Sequence, residues 1–160
     1  MERDIIEELG SLALATRLKN LSERLAKDVS QIYKESELDF EPRWFTLVYA
    51  LKEGEELAVT ELSSMLKQTH PAINQVANVL VANKLVNERK DEADQRKRLL
   101  RLSTKGEKLV SHMSDLWGQI KKANDELLDE SGGILLESLD KVEEALDNKS
   151  MYERIRSFQA

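Results

Sequence analysis

The sequence has no cysteine, so it offers no disulfide framework, no thiolate metal site and no cysteine nucleophile, and it suits a reducing compartment. Aromatic residues make up only 5% of its 160 positions, and six glycines and two prolines are too few turn formers for a many-stranded sheet protein. With 41% hydrophobic and 34% charged residues the chain is too apolar to stay disordered, which leaves a helix-dominated globular fold. The length suits one domain of the usual ~100–200 residues. Long hydrophobic runs are missing as well. Leu12 to Ala15 is preceded by five charged residues and followed by Arg17 and Lys19, a pattern that fits neither a signal peptide nor a span of ~20 apolar residues. A cytoplasmic protein is expected. His70 and His112 are the only imidazoles, and no metal-ligand cluster, Ser-His-Asp arrangement or Gly-rich phosphate loop can be assembled around them. The expectation is therefore no enzyme, no catalytic residues, no metal and no cofactor.

Net charge is −6, which opposes indiscriminate binding to polyanions. The charge is unevenly placed, however: residues 84–108 hold nine Lys or Arg against five acids, a local +4 that leaves −10 elsewhere. One small segment is basic on an acidic body.

Hydrophobic spacing sets the expected elements. Within residues 4–35, Leu14, Leu18, Leu21, Leu25, Val29 and Ile32 recur at steps of four and three, predicting one long helix. A second helix is expected from Arg43 to about Lys52, started by Pro42 and ended by Gly54. The segment LAVT is long enough only for a strand stub, and Thr60 is the expected N-cap of a short helix 61–67. Thr69 then caps another helix, with Pro71 in its first turn and Ile73, Val76, Ala77 and Leu80 on one face. Two short helices joined by a tight turn read as a helix-turn-helix. The opposite face of the second helix carries His70, Asn74, Gln75 and Asn78, side chains able to hydrogen-bond base edges.

Leu85–Arg89 and Lys97–Leu102 read as a hairpin around KDEADQ, its tip and return arm holding Arg96, Lys97 and Arg98. From Ser103 or Thr104 a long helix repeats Leu109, Met113, Leu116, Ile120, Ala123 and Leu127 as a heptad seam. DESGG breaks it. A last helix carries Leu135, Leu139, Val142 and Leu146 in the same rhythm, with an interruption near residues 148–150. The fold class is thus mainly α with a small β-hairpin, a winged helix-turn-helix with long N- and C-terminal helices.

The wing DQRKRLLRLSTKG resembles the signature of the MarR family of transcriptional regulators. That family's Asp-x-Arg falls on Asp94 and Arg96, and its Leu-Ser/Thr-x-x-Gly falls on Leu102, Ser103 and Gly106. The resemblance implies a homodimer. Residues 1–40 and 104–160 would supply the dimerisation helices and residues 41–103 the DNA-binding region, within one integrated domain. It also implies double-stranded DNA as partner and release by a small anionic or aromatic effector. Three positions depart from the family pattern: Asn74 and Gln75 replace the commoner recognition-helix pair, and Lys84 replaces the usual Gly, so Asn83 or Lys84 must turn the chain.

The residues expected to meet DNA are Thr69, His70, Asn74, Gln75 and Asn78 on a recognition helix of about 70–83, and Arg96, Lys97 and Arg98 on a wing of about 90–98. Asp94 is expected to orient Arg96 instead of touching DNA. Arg17, Arg43, Trp44, Tyr49, His112 and Trp117 are candidates for an effector pocket, although such aromatics are more often plain core. The competing function is a protein-interaction module whose basic wing meets an acidic partner.

Overall fold

The computed structural model describes residues 4–159, and those residues fall into two compact units that divide between Met113 and Ser114. No helix among them is long and apolar enough to cross a membrane.

The first unit begins with α1 (Ile5–Leu9), capped by Asp4, whose carboxylate accepts from the amides of Ile6 and Glu7 at 2.9 and 3.1 Å. The expected single helix over 4–35 is interrupted. Gly10 adopts φ 53° and ψ −124°, a backbone state open chiefly to glycine, and a 3₁₀ turn over Gly10–Ala13 follows before α2 (Leu14–Glu35). The predicted second helix is also divided, into a 3₁₀ turn at Pro42–Trp44 and α3 (Phe45–Ala50). Tyr33, Phe40 and Trp44 lock α2 to this segment through two edge-to-face contacts with centroids 5.3 and 5.5 Å apart. Such a pair adds about 0.5–1.5 kcal/mol beyond its area.

Strand β1 (Leu57–Ala58) leads into α4 (Val59–Met65), two residues ahead of the expected start. Thr60 is not the cap: it lies inside the first turn, and the free amide of Ala58 is taken by the Glu61 carboxylate at 2.7 Å. Next come α5 (His70–Ala82), β2 (Val86–Lys90), β3 (Arg98–Leu102) and α6 (Thr104–Glu130). β3 lies between β1 and β2, antiparallel to both, with Leu57 opposite Leu100 and Val86 opposite Leu102. The hairpin is therefore a three-stranded sheet, and the stub supplies the third edge. Leu100 and Leu102 lie on one face of β3 and Leu99 on the other, all three buried, in a core that includes Leu47, Leu51, Leu62, Ile73, Leu80 and Met113.

The second unit holds the rest of α6, then α7 (Leu135–Asn148) and α8 (Met151–Arg156). Gly132 and Gly133, at φ 95° and 71°, make the turn between α6 and α7. Ser150 caps α8 in a box with Glu153, each side chain reaching the other's backbone amide. None of the described residues of this unit is buried.

Candidate nucleic-acid interface

The turn before α5 contains no glycine. Lys67 takes the left-handed conformation instead (φ 49°), and Ser63 steadies it by donating from Oγ to the carbonyl of Gln68 at 2.5 Å. Thr69 then starts α5, its Oγ1 accepting from the amide of Ala72 at 3.4 Å. Pro71 fits the first turn because its missing N–H is one the helix would leave unpaired anyway. With Ile73, Ala77 and Leu80 buried, the helical period leaves His70, Gln75 and Asn78 exposed and Asn74 half-buried.

The far end of α5 is fixed by hydrogen bonds. Asn83 donates from Nδ2 to the carbonyl of Val79 at 2.9 Å, and Lys84 turns the chain at φ 60° in place of the glycine. Ser103 donates from Oγ to the Lys84 carbonyl at 2.7 Å and accepts from the amide of Gly106 at 3.0 Å. The Leu102-Ser103-x-x-Gly106 motif thus ties the start of α6 to the end of α5. Gly106 passes so close that a Cβ there would sit 2.2 Å from the Leu85 carbonyl oxygen.

Two aspartates shape the wing tip. Asp91 Oδ1 accepts from the amides of Ala93 and Asp94 at 2.7 and 3.0 Å, which folds the chain over. Asp94 Oδ1 accepts from both the amide and Nε of Arg96 at 3.1 Å, and its Oδ2 from Nη2 at 3.3 Å. Each carboxyl is held below the ordinary aspartate value, Asp94 by the Arg96 side chain and then its amide, Asp91 by the amides of Asp94 and Ala93. Arg96 keeps 91% of its side chain exposed while so held, and Lys97 is exposed with no ion pair among the described residues.

Arg98 is placed differently. Only 24% of its side chain is exposed; Nε donates to Glu88 at 2.6 Å and Nη1 to Asn74 Oδ1 at 2.9 Å. Arg89 is likewise engaged, gripping the Glu56 carboxylate with two bonds. The sequence reading missed these roles of Asp91, Glu88 and Arg89. The Asp91-x-x-Asp94 spacing was an available sign, because aspartate bonds amides two and three residues on.

The five effector-pocket candidates of the first unit are not gathered in one place. Arg17 is exposed on α2, and Arg43 pairs with Glu41 at 2.5 Å. Tyr49 is exposed, with the Lys52 ammonium 3.9 Å over its ring. Trp44 is buried and its Nε1 has no hydrogen-bond partner among the described residues. Trp117 belongs to the second unit. His112 lines a groove of about 270 Å³ with Lys105, Lys108, Leu38, Leu85 and Leu109, and neither Arg43, Trp44 nor Tyr49 reaches it. Among the described residues no group of three or more His, Cys, Asp or Glu side chains is placed to hold a metal ion.

Comparison with known proteins supports this geometry. The sequence profile of the MarR family matches residues 38–97. No curated protein sequence matches the chain. Among solved structures, the chain is similar to the S. aureus MepR–DNA complex, with 19% identity over 82% of this chain and 97% of that one, and a TM-score of 0.68. It is similar also to Bordetella bronchiseptica BpsR, whose DNA binding is regulated by 6-hydroxynicotinic acid, with 21% identity over 90% and 98% of the two chains and a TM-score of 0.66. A MarR variant from E. coli complexed with operator DNA gives 20% identity over 88% and 99% and a TM-score of 0.64. At these identities the likeness establishes the winged-helix fold.

Proposed function

We propose that the chain, whose residues 38–97 match the MarR family of transcriptional regulators, is a member of that family and a dimeric, sequence-specific DNA-binding regulator. In this reading α5 enters the major groove and the wing over about 90–98 lies on the backbone or in the minor groove. One observation carries it. The Arg98–Asn74 bond joins helix and wing, so that the exposed His70, Gln75 and Asn78 of α5 accompany the exposed Arg96 and Lys97 of the one basic stretch of an acidic protein. Gln75 has the reach to bond adenine N6 and N7, and Arg96 the charge to meet phosphate.

Dimerisation is supported by apolar rows that the chain leaves open. Leu14, Leu18, Leu21, Leu25 and Ile32 are all 39–52% exposed along α2, and the second unit buries none of its described residues. In proteins most helical stability comes from packing an amphipathic face, so a second copy is the natural cover. Regulation by an anionic or aromatic effector is supported by the unpartnered Trp44 Nε1, a buried donor suited to a carboxylate or phenolate oxygen. BpsR, regulated by 6-hydroxynicotinic acid, is a precedent in this fold. The test is selection of bound fragments from the source genome. Recovery of a shared two-fold motif, with half-sites about 10 bp or a multiple apart, is expected. Recovery of no motif, with capture of an acidic protein instead, would favour the interaction-module reading.

A further inference from the structure

Arg98 joins β3 to the recognition helix, and its chemistry restricts what Asn74 can read. The register sets Arg98 opposite Lys90 and so places Glu88 diagonally on the same face, where its carboxylate holds Nε at 2.6 Å. The remaining fork points at Asn74, with Nη1 2.9 Å from Oδ1. A guanidinium has donors only, so the amide atom facing it must be the oxygen, and the orientation of the Asn74 amide is settled by this bond. The Nδ2 end makes no hydrogen bond among the described residues.

Reading adenine takes both ends of an asparagine amide, Nδ2 donating to N7 and Oδ1 accepting from N6. The Arg98 bond takes one of the two lone pairs of Oδ1 and anchors that oxygen to the wing, which leaves Nδ2 as the end of the amide without a partner among the described residues. Guanine presents two adjacent acceptors in the major groove, O6 and N7, whereas adenine presents one acceptor beside a donor. We propose that Arg98 is a positioning residue for base recognition: by anchoring Asn74 Oδ1 to the wing it leaves the unpartnered Nδ2 as the end offered to a base, so that Asn74 favours guanine while Gln75 remains free to read adenine. This rests on the DNA-binding reading above.

The test compares operators selected from random duplexes by the wild type and by Asn74→Ala, Arg98→Lys and Arg98→Met, each confirmed folded by circular dichroism. The position whose preference Asn74→Ala abolishes is the one Asn74 reads. There the wild type is expected to prefer guanine, and both Arg98 variants to move toward adenine by about tenfold relative to guanine. Lysine keeps the positive charge but not the two-armed fork, so a phosphate contact would survive Arg98→Lys and the orientation would not. In the free protein the Asn74 side-chain amide resonance should shift in Arg98→Lys, which gives a readout independent of DNA. Adenine at that position in the wild type, or an unchanged motif in both Arg98 variants, would overturn the proposal alone. A wild type that selects no sequence would remove the DNA-binding reading together with it.

Discussion

Gly106 and Gly118 both lie in α6, and the space around them predicts opposite consequences for the same substitution. At Gly106 an added Cβ meets the Leu85 carbonyl at 2.2 Å, and that carbonyl cannot move aside without disturbing the bond it accepts from Ser103. Gly106→Ala should therefore destabilise the protein by about 1–3 kcal/mol, the cost of overpacking a filled site. At Gly118 nothing lies within 4 Å, and an alanine there gains helix propensity of about 1 kcal/mol. Denaturant titration of the two variants checks both signs. A harmless Gly106→Ala would mean that the α5–α6 junction is looser than its hydrogen bonds indicate.

At the scale of an element, the wing depends on two carboxylates being charged. Asp91 and Asp94 both titrate below the ordinary aspartate value, so the order they confer is fully present above about pH 3.9 and is lost as the pH falls through their lowered values. Carboxyl carbon titration by NMR should give midpoints below that of an unstructured aspartate for both residues. A midpoint at or above it for Asp94 would mean that Arg96 is not held as described. Much of the wing and of the helix before it is legible in the sequence, because strands, turns and capping residues are local patterns: Thr69 with Pro71, the hairpin around KDEADQ, the Ser103-to-Gly106 motif. The misplaced features had other causes. α4 starts early because Glu61 reaches back to an Ala58 amide, where a side-chain cap at Thr60 had been expected. The first helix breaks because Gly10 adopts a backbone state that apolar periodicity does not register. Arg98 reaches Asn74 across 24 positions, a contact between distant segments that no local pattern registers.

At the scale of the whole molecule, large apolar side chains stand exposed in both units. Along α2 the row from Leu14 to Leu25 continues at helical spacing, and in the second unit Met151, Ile155 and Phe158 are 60, 49 and 90% exposed. Leu25→Glu would place a charge in the middle of the proposed contact, where burial costs several kcal/mol unless the charge is paired. The variant should run as a monomer in light scattering at concentrations where the wild type is a dimer, and it should lose DNA affinity accordingly. A wild-type monomer at micromolar concentration would contradict the proposed assembly.

The central claim is that α5 and the wing together grip DNA, and the salt dependence of binding to a genome-selected fragment tests it most directly. If Arg96 and Lys97 of two copies each neutralise a phosphate, log affinity against log salt should fall with a slope of about −3.6 or steeper. Arg96→Ala, shown folded and dimeric, should then weaken binding to every sequence and flatten that slope by up to about 2. Saturable binding whose affinity and slope are the same in wild type and Arg96→Ala would contradict the account, as would affinity that does not change with salt.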